Sequence, residues 1–134
     1  MAHHRLGETG RNMNAEVIAI GDELTSGQRV DTNSAWISQR LGEIGIRVLH
    51  HSTVADDLDS CRDVFRNAFS RVDLVVCTGG LGPTADDLTR EVIAEAMNVE
   101  LVQDDAALAH IREMFESRGR EMPPKNAVLS LIHI

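Results

Sequence analysis

The chain has 134 residues, of which 43% are hydrophobic and 25% are charged, a composition typical of one globular domain with its own core. Its 13 Lys and Arg residues against 21 Asp and Glu residues give a formal net charge of -8, so we expect no nucleic-acid partner. No apolar run approaches the roughly 20 residues that cross a bilayer, and no secretory signal is visible. We therefore expect no membrane partner and a cytoplasmic location.

Short apolar runs alternate with helical patterns along the chain. Residues 16–20 predict a first strand, and Thr32 or Asn33 is expected to cap a helix with an apolar face formed by Ile37, Leu41 and Ile44. The later elements are predicted as a strand at 46–54, a helix capped by Asp56 or Asp57, a strand at 74–78, a helix containing Leu88 and Val92, and a helix from about Asp104.

This order, βαβαβα, predicts a mostly parallel sheet with right-handed crossovers and helices on both faces. Ligands of such sheets bind beyond the carboxyl ends of the strands. We therefore expect the loops after Ile20, Val54 and Thr78 to converge on one site.

A Gly-rich segment at 78–89, Thr-Gly-Gly-Leu-Gly-Pro-Thr-Ala-Asp-Asp-Leu-Thr, separates the third predicted strand from a helix. Gly79, Gly80 and Gly82 permit close backbone approach to a ligand, and the N–H groups of a helix start favour anions. Asp86 and Asp87 follow where a phosphate would lie, which favours a divalent metal between them and the phosphate. The segment predicts a metal-assisted nucleotide or phosphate site.

Each acidic candidate also has a plain structural interpretation. One of the two carboxylates after the Gly-rich segment is expected to cap a helix, and we assign capping to Asp86 and metal binding to Asp87. Asp56 and its neighbour Asp57 also have two interpretations: either they cap a helix, or they orient a metal ion or a water molecule. Asp22 and Glu23 form either a solvated turn or ligand contacts at the end of the first strand.

Other side chains are weaker candidates. Asn33 is expected to cap a helix first and to hydrogen-bond a ribose or base second. Trp36 is more typical of a core or an oligomer interface than of base stacking. Cys61 and Cys77 lie at apolar positions of a helix and a strand, where cysteines are usually core residues.

Three motifs together resemble the N-terminal domain of the CinA family: residues 15–24, Gly27 with residues 31–33, and residues 78–91. That family belongs to the molybdopterin-binding domains of the MoaB/MogA type, and the resemblance spans about residues 13–128. It implies a three-layer α/β/α domain with a mostly parallel sheet, often a homo-oligomer, that binds a phosphorylated nucleotide or pterin. In longer members a separate C-terminal deamidase domain follows.

The resemblance also implies an activity. CinA-like domains are associated with hydrolysis of ADP-ribose to AMP and ribose 5-phosphate, with Mg²⁺, Mn²⁺ or Co²⁺ as the cofactor. The catalytic pattern of the MogA-like relatives, which adenylylate molybdopterin with Mg-ATP, matches Asp56 and Asp87 here. We assign metal binding to Asp87 and Asp86, and phosphate or substrate contacts to Gly79, Gly80, Gly82, Thr84, Asp22, Glu23 and Asn33. The expected enzyme is a pyrophosphohydrolase; the alternatives are a molybdopterin-binding or adenylylating domain, or a non-catalytic oligomerisation or regulatory domain.

The two ends of the sequence are expected to lie outside this domain. Residues 1–12 are polar and without a hydrophobic period, which predicts a flexible extension. Residues 129–134, Leu-Ser-Leu-Ile-His-Ile, match one reading frame of a common transposase-adapter end, which predicts a non-native tail. Because the family's later Asn-Pro-x-Gly-type loop is missing past Val128, we expect a C-terminally truncated domain without part of its pocket wall, which puts its activity and folding in question.

Overall fold

A three-stranded parallel sheet forms the centre of the protein. The computed structural model describes residues 13–133, so the predicted extension at 1–12 lies outside the described residues. The sheet contains β1 (Asn14–Ile20), β2 (Arg47–Val54) and β3 (Leu74–Thr78) in the order β2-β1-β3. Both pairings with β1 are parallel, so the predicted parallel sheet is confirmed.

Five α-helices of the described chain lie between and after the strands. They are α1 (Asp22–Thr25), α2 (Thr32–Glu43), α3 (Leu58–Arg71), α4 (Thr89–Met97) and α5 (Asp105–Glu116). A 3-10 helix (Pro124–Ser130) follows, and β4 (Leu101–Gln103) pairs antiparallel with β5 (Leu131–His133). The sequence pattern predicts no strand at 101–103 or at 131–133. That residues 129–134 are a non-native tail stays a prediction.

The core lies between β1, α3 and α4. Ile18 and Ile20 of β1 pack there with Phe65 of α3 and Val92 of α4, all of them buried. Because side chains alternate along a strand, Val17 and its odd-numbered neighbours face the opposite side of the sheet, against which α2 packs. The expected three layers are therefore present.

Two local predictions for α2 are wrong. Its N-cap is Asp31, whose side chain accepts a hydrogen bond from Ser34 N at 2.9 Å, so neither Thr32 nor Asn33 caps the helix. Ile44, which was predicted on the apolar face of this helix, is 71% exposed. The helix ends at Glu43, so Ile44 lies just outside it.

Other predicted features are found in the structure. Asp57 caps α3 by accepting from Ser60 N at 2.8 Å, and α5 begins next to Asp104, close to its predicted start. Cys61 is fully buried and Cys77 is half-buried, and burial raises the pKa of both thiols, as expected of core cysteines rather than nucleophiles. Within residues 13–133 no helix has the length and apolar character needed to cross a bilayer.

An ion pair between the buried Glu16 and the exposed Arg71 joins the first strand to the end of α3. Glu16 is fully buried and accepts two hydrogen bonds from the Arg71 guanidinium, at 2.8 Å and 2.6 Å, and one from Ser52 Oγ at 2.6 Å. Burial alone would raise the pKa of Glu16, but these hydrogen bonds and the charge of Arg71 hold it below its ordinary value of 4.5. The pair thus holds β1, β2 and α3 together as long as Glu16 is ionised.

We expect Glu16→Gln to weaken the acid dependence of stability. A carboxylate with a lowered folded pKa stabilises the protein fully above its unfolded pKa, here 4.5, and this contribution is lost as the pH falls through the folded value. The variant should be less stable at neutral pH and lose less stability on acidification, as measured by urea unfolding at a series of pH values. Glu43→Gln, at an exposed pair with Arg40, is the matched control; the same acid dependence in the wild type and Glu16→Gln would contradict this role.

Candidate functional site

The carboxyl ends of all three parallel strands meet, as the sequence predicts. Gly21 N donates to Val54 O at 3.0 Å, which joins the ends of β1 and β2. Gly79, just after β3, lies so close to the carbonyl oxygen of Ile20 that a Cβ on it would collide with that oxygen. Its φ of 97° also lies in the region that favours glycine, so this position admits no other residue without strain.

Four consecutive carbonyls of the Gly-rich turn, those of residues 79–82, accept hydrogen bonds from the first two residues of α4. Thr89 donates through its hydroxyl to the first at 2.8 Å and through its N–H to the second at 3.2 Å. Arg90 donates through Nη1 to the third at 2.8 Å and through Nη2 to the fourth at 2.7 Å. Because N–H and C=O point in opposite directions across a trans peptide, the N–H groups of residues 80–82 point away from Thr89 and Arg90.

The Asp87 side chain is hydrogen-bonded to the second half of the turn, at Thr84. Its carboxylate accepts hydrogen bonds from the Thr84 hydroxyl and from Thr84 N, the latter at 2.9 Å. These bonds hold the pKa of Asp87 below its ordinary value, with smaller contributions from the Gly82 N–H and the charge of Arg90. Asp87 is therefore an ionised carboxylate fixed beside the turn.

The prediction that Asp86 caps a helix is wrong. Helix α4 begins at Thr89, and its N-cap, Leu88, makes no side-chain hydrogen bond to the helix. Asp86 is exposed and lies before the helix start. The acidic pair belongs to the turn because the helix begins later than the sequence pattern indicates.

A cavity of about 370 Å³ opens beside the start of this turn. It brings together three of the predicted ligand residues, Glu23, Asn33 and Gly79. Asn33 Nδ2 donates to Thr78 Oγ1 at 3.2 Å, which ties the start of α2 to the end of β3. The full lining consists of Ile20, Glu23, Leu24, Arg29, Val30, Asp31, Thr32, Asn33, Thr78 and Gly79.

The other predicted residues lie outside this lining. Asp22 and Asp56 form a reciprocal pair, in which Asp22 Oδ1 accepts from Asp56 N at 3.0 Å and Asp56 Oδ2 accepts from Asp22 N at 3.1 Å. The pair joins the loops after β1 and β2. The remaining candidates, Gly80, Gly82, Thr84, Asp86 and Asp87, form the turn itself rather than the cavity wall.

No group of three or more His, Cys, Asp or Glu side chains within residues 13–133 is arranged to hold a metal ion. The carboxylates nearest the turn are Asp86 and Asp87, and Asp87 carries the hydrogen bonds described above. A Mg²⁺ ion bound mainly by substrate phosphates and water needs only one or two protein carboxylates. The donor set fits such a substrate-dependent ion and not a closed metal cage.

Sequence reasoning missed two basic residues of the site. Arg29 lines the cavity, and Arg90 holds the Gly-rich turn. A signal for Arg29 was available, because it is the single basic residue of the loop at 22–31. Arg90 stands next to Thr89 in a helical pattern, where an arginine usually indicates a solvated face.

Comparison with known proteins identifies the family. Residues 16–130 match the family described as "Probable molybdopterin binding domain". The structure of CinA from Thermoplasma acidophilum, a protein described as of unknown function, superposes with a TM-score of 0.80 at 38% identity, over 90% of this chain and 70% of that one. The chain belongs to this family, as a CinA-type domain.

Other relatives place the CinA-type domain in a wider group. A "Putative competence-damage inducible protein" from Levilactobacillus brevis is 50% identical over 119 residues, which cover 89% of this chain and 29% of that protein. A protein of the same name from Bacillus cytotoxicus is 45% identical over 120 residues, which cover 90% of this chain and 29% of that protein. The chain thus spans 29% of the length of these relatives. The tungsten cofactor synthesizing protein MoaB from Pyrococcus furiosus is 27% identical, with a TM-score of 0.63, over 81% of this chain and 68% of that one.

We expect Gly79→Ala to be strongly destabilising. The added Cβ would collide with the Ile20 carbonyl at a φ of 97°, and such backbone strain costs about 1–3 kcal/mol before any steric cost. The expected loss in the free energy of unfolding is therefore more than about 2 kcal/mol, measured by urea titration. Gly42→Ala is the matched control: it lies in α2, its added Cβ meets nothing within 4 Å, and its stability should be equal or slightly higher. Equal stability of Gly79→Ala and wild type would contradict the described turn.

Proposed function

We propose that this CinA-type domain binds a phosphorylated pterin of the molybdopterin class beyond the carboxyl ends of β1 and β3. The observation that carries the proposal is the polarity of the Gly-rich turn. The carbonyls of residues 79–82 are turned toward Thr89 and Arg90, so the N–H groups of residues 80–82 point the other way. The Gly82 N–H faces the Asp87 carboxylate, which leaves the N–H groups of Gly80 and Leu81 for a ligand, next to a cavity of about 370 Å³ that Gly79 lines. Successive outward N–H groups at a helix start form an anion site.

The phosphate of the ligand is assigned to these N–H groups. Helix α4 begins directly after the turn, and its N-terminus has no side-chain cap to compete with an anion. Arg29, in the cavity wall, supplies a positive charge for a second phosphate contact. These local positive charges act at short range, so the net charge of -8 does not by itself exclude a small anion, and the Asp87 carboxylate beside the Gly82 N–H confines the phosphate to the N–H groups of Gly80 and Leu81.

The ring of the pterin is assigned to the cavity. Glu23 and Asp31 offer acceptors for ring N–H and amino groups, and Asn33 offers both a donor and an acceptor. The volume falls within the roughly 300–1,000 Å³ usual for small-molecule sites. The family description, which names molybdopterin, supports the proposal.

A metal-dependent pyrophosphohydrolase acting on ADP-ribose is the second candidate. The observation that favours it is the ionised Asp87 beside the phosphate-binding turn, with Asp86 next to it. Asp87 and Asp86 would hold Mg²⁺, Mn²⁺ or Co²⁺, and the ion would supply neutralisation of the phosphate charge. In this candidate the turn binds the pyrophosphate, the cavity holds a nucleoside, and Asp56 keeps the loops after β1 and β2 together through Asp22.

The pterin proposal predicts a specific loss of affinity in Arg29→Met. Hydrogen bonds to charged groups contribute about 1.5–3 kcal/mol, so the dissociation constant for molybdopterin should rise about tenfold to a hundredfold, measured by calorimetry. The control is Arg66→Met, an exposed arginine on α3, which should leave the affinity unchanged. Absence of pterin binding by the folded wild-type protein would refute the proposal.

The hydrolase candidate predicts metal-dependent release of AMP from ADP-ribose that is lost in Asp87→Asn. The substitution keeps the size of the side chain but removes the charge that the metal requires. Calorimetry with Mg²⁺ and Mn²⁺ in the presence of ADP-ribose should show a matching loss of metal binding. Asp105→Asn, in the first turn of α5, is the control and should behave as wild type. Full turnover in Asp87→Asn, or none in the wild type with any of the three metals, would remove this candidate.

A further inference from the structure

Arg90 holds the Gly-rich turn with a side chain that is almost entirely buried. Its exposed fraction is 8%, and its guanidinium donates to Leu81 O at 2.8 Å and to Gly82 O at 2.7 Å. Its buried Nε has no hydrogen-bond partner in the described chain. The two carbonyls of the turn are therefore the groups that its side chain hydrogen-bonds.

This contact fixes the orientation of one peptide plane. The C=O of Leu81 points at Arg90, so the N–H of Gly82 in the same plane points the opposite way. The Asp87 carboxylate lies on that side, so close that a Cβ on Gly82 would collide with it. The direction of the Gly82 N–H and the position of Asp87 thus depend on where Arg90 holds the plane.

We propose that Arg90 is a positioning residue that fixes the peptide plane between Leu81 and Gly82 and, through the Gly82 N–H, holds the Asp87 carboxylate beside the N–H groups of Gly80 and Leu81. The inference rests on the proposed function, because it concerns the same site. Arg90, which lies on the side of the turn opposite to the ligand, keeps that site in shape. Arg90 does not touch the ligand; it acts through the peptide plane of Leu81 and Gly82.

The geometry explains why this position carries an arginine. Two donors of a planar guanidinium reach two consecutive carbonyls at once, which a single ammonium group on a flexible stem does not reproduce. Glycines supply no side chain to restrain the turn, so its peptide planes depend on external hydrogen bonds. Without Arg90, the carbonyls of Leu81 and Gly82 lose their donors and the plane between them is free to rotate.

The direct test is the amide resonance of Gly82 in ¹⁵N-labelled protein without ligand. In Arg90→Ala we expect this resonance to shift and broaden while those of β1 and β2 stay in place. Millimolar guanidinium, which matches the deleted group, should move it back, and ethylammonium should not. Arg62→Ala, which removes an arginine bonded to Asp59 and Glu95, is the control and should leave Gly82 unchanged. A Gly82 resonance unaltered in Arg90→Ala would overturn the inference.

Ligand titration gives the second readout. The affinity of Arg90→Ala for molybdopterin should fall at least about tenfold and recover in part with guanidinium. If Arg90→Ala does not fold, Arg90→Lys serves in its place, and a wild-type Gly82 resonance and affinity in that variant would overturn the inference. If the wild-type protein binds no molybdopterin, the proposed function fails, whereas the ligand-free Gly82 resonance still decides the role of Arg90.

Discussion

The close approach of Gly79 to the Ile20 carbonyl is the constraint on which the rest of the site depends. It joins the end of β1 to the turn after β3, at a distance that leaves no room for a Cβ. Since Gly21 also bonds to Val54 O, the three loops that follow the parallel strands are held against one another. The cavity and the Gly-rich turn lie together because these contacts join the strand ends.

The polarity of the turn follows from the start of α4. Thr89 and Arg90 supply donors to four successive carbonyls, and the N–H groups of the turn are left facing the other way. A turn with the same glycines but without these two residues would not have a defined set of donors. The proposed anion site thus depends on the helix behind the turn as much as on the turn.

The sequence predicted the parallel sheet and the place of the site, because both depend on local patterns. Alternating strands and helices require parallel pairing, and parallel pairing puts the loops after Ile20, Val54 and Thr78 at one edge. It did not predict the cap at Asp31 or the Asp87 contact with Thr84, because these depend on where each helix begins. The sequence also did not predict the role of Arg90, because tertiary packing decides whether its side chain is buried or exposed.

The central claim is that the N–H groups of Gly80 and Leu81 bind the phosphate of the ligand. The measurement that tests it most directly is a titration of ¹⁵N-labelled protein with molybdopterin, with ADP-ribose in a parallel sample, followed by two-dimensional amide spectra. We predict downfield shifts at Gly80 and Leu81, with smaller changes at Gly82 and around Asn33 in the cavity wall. Shifts confined to residues outside the turn, with the Gly80 and Leu81 amides unchanged at saturation, would contradict the account.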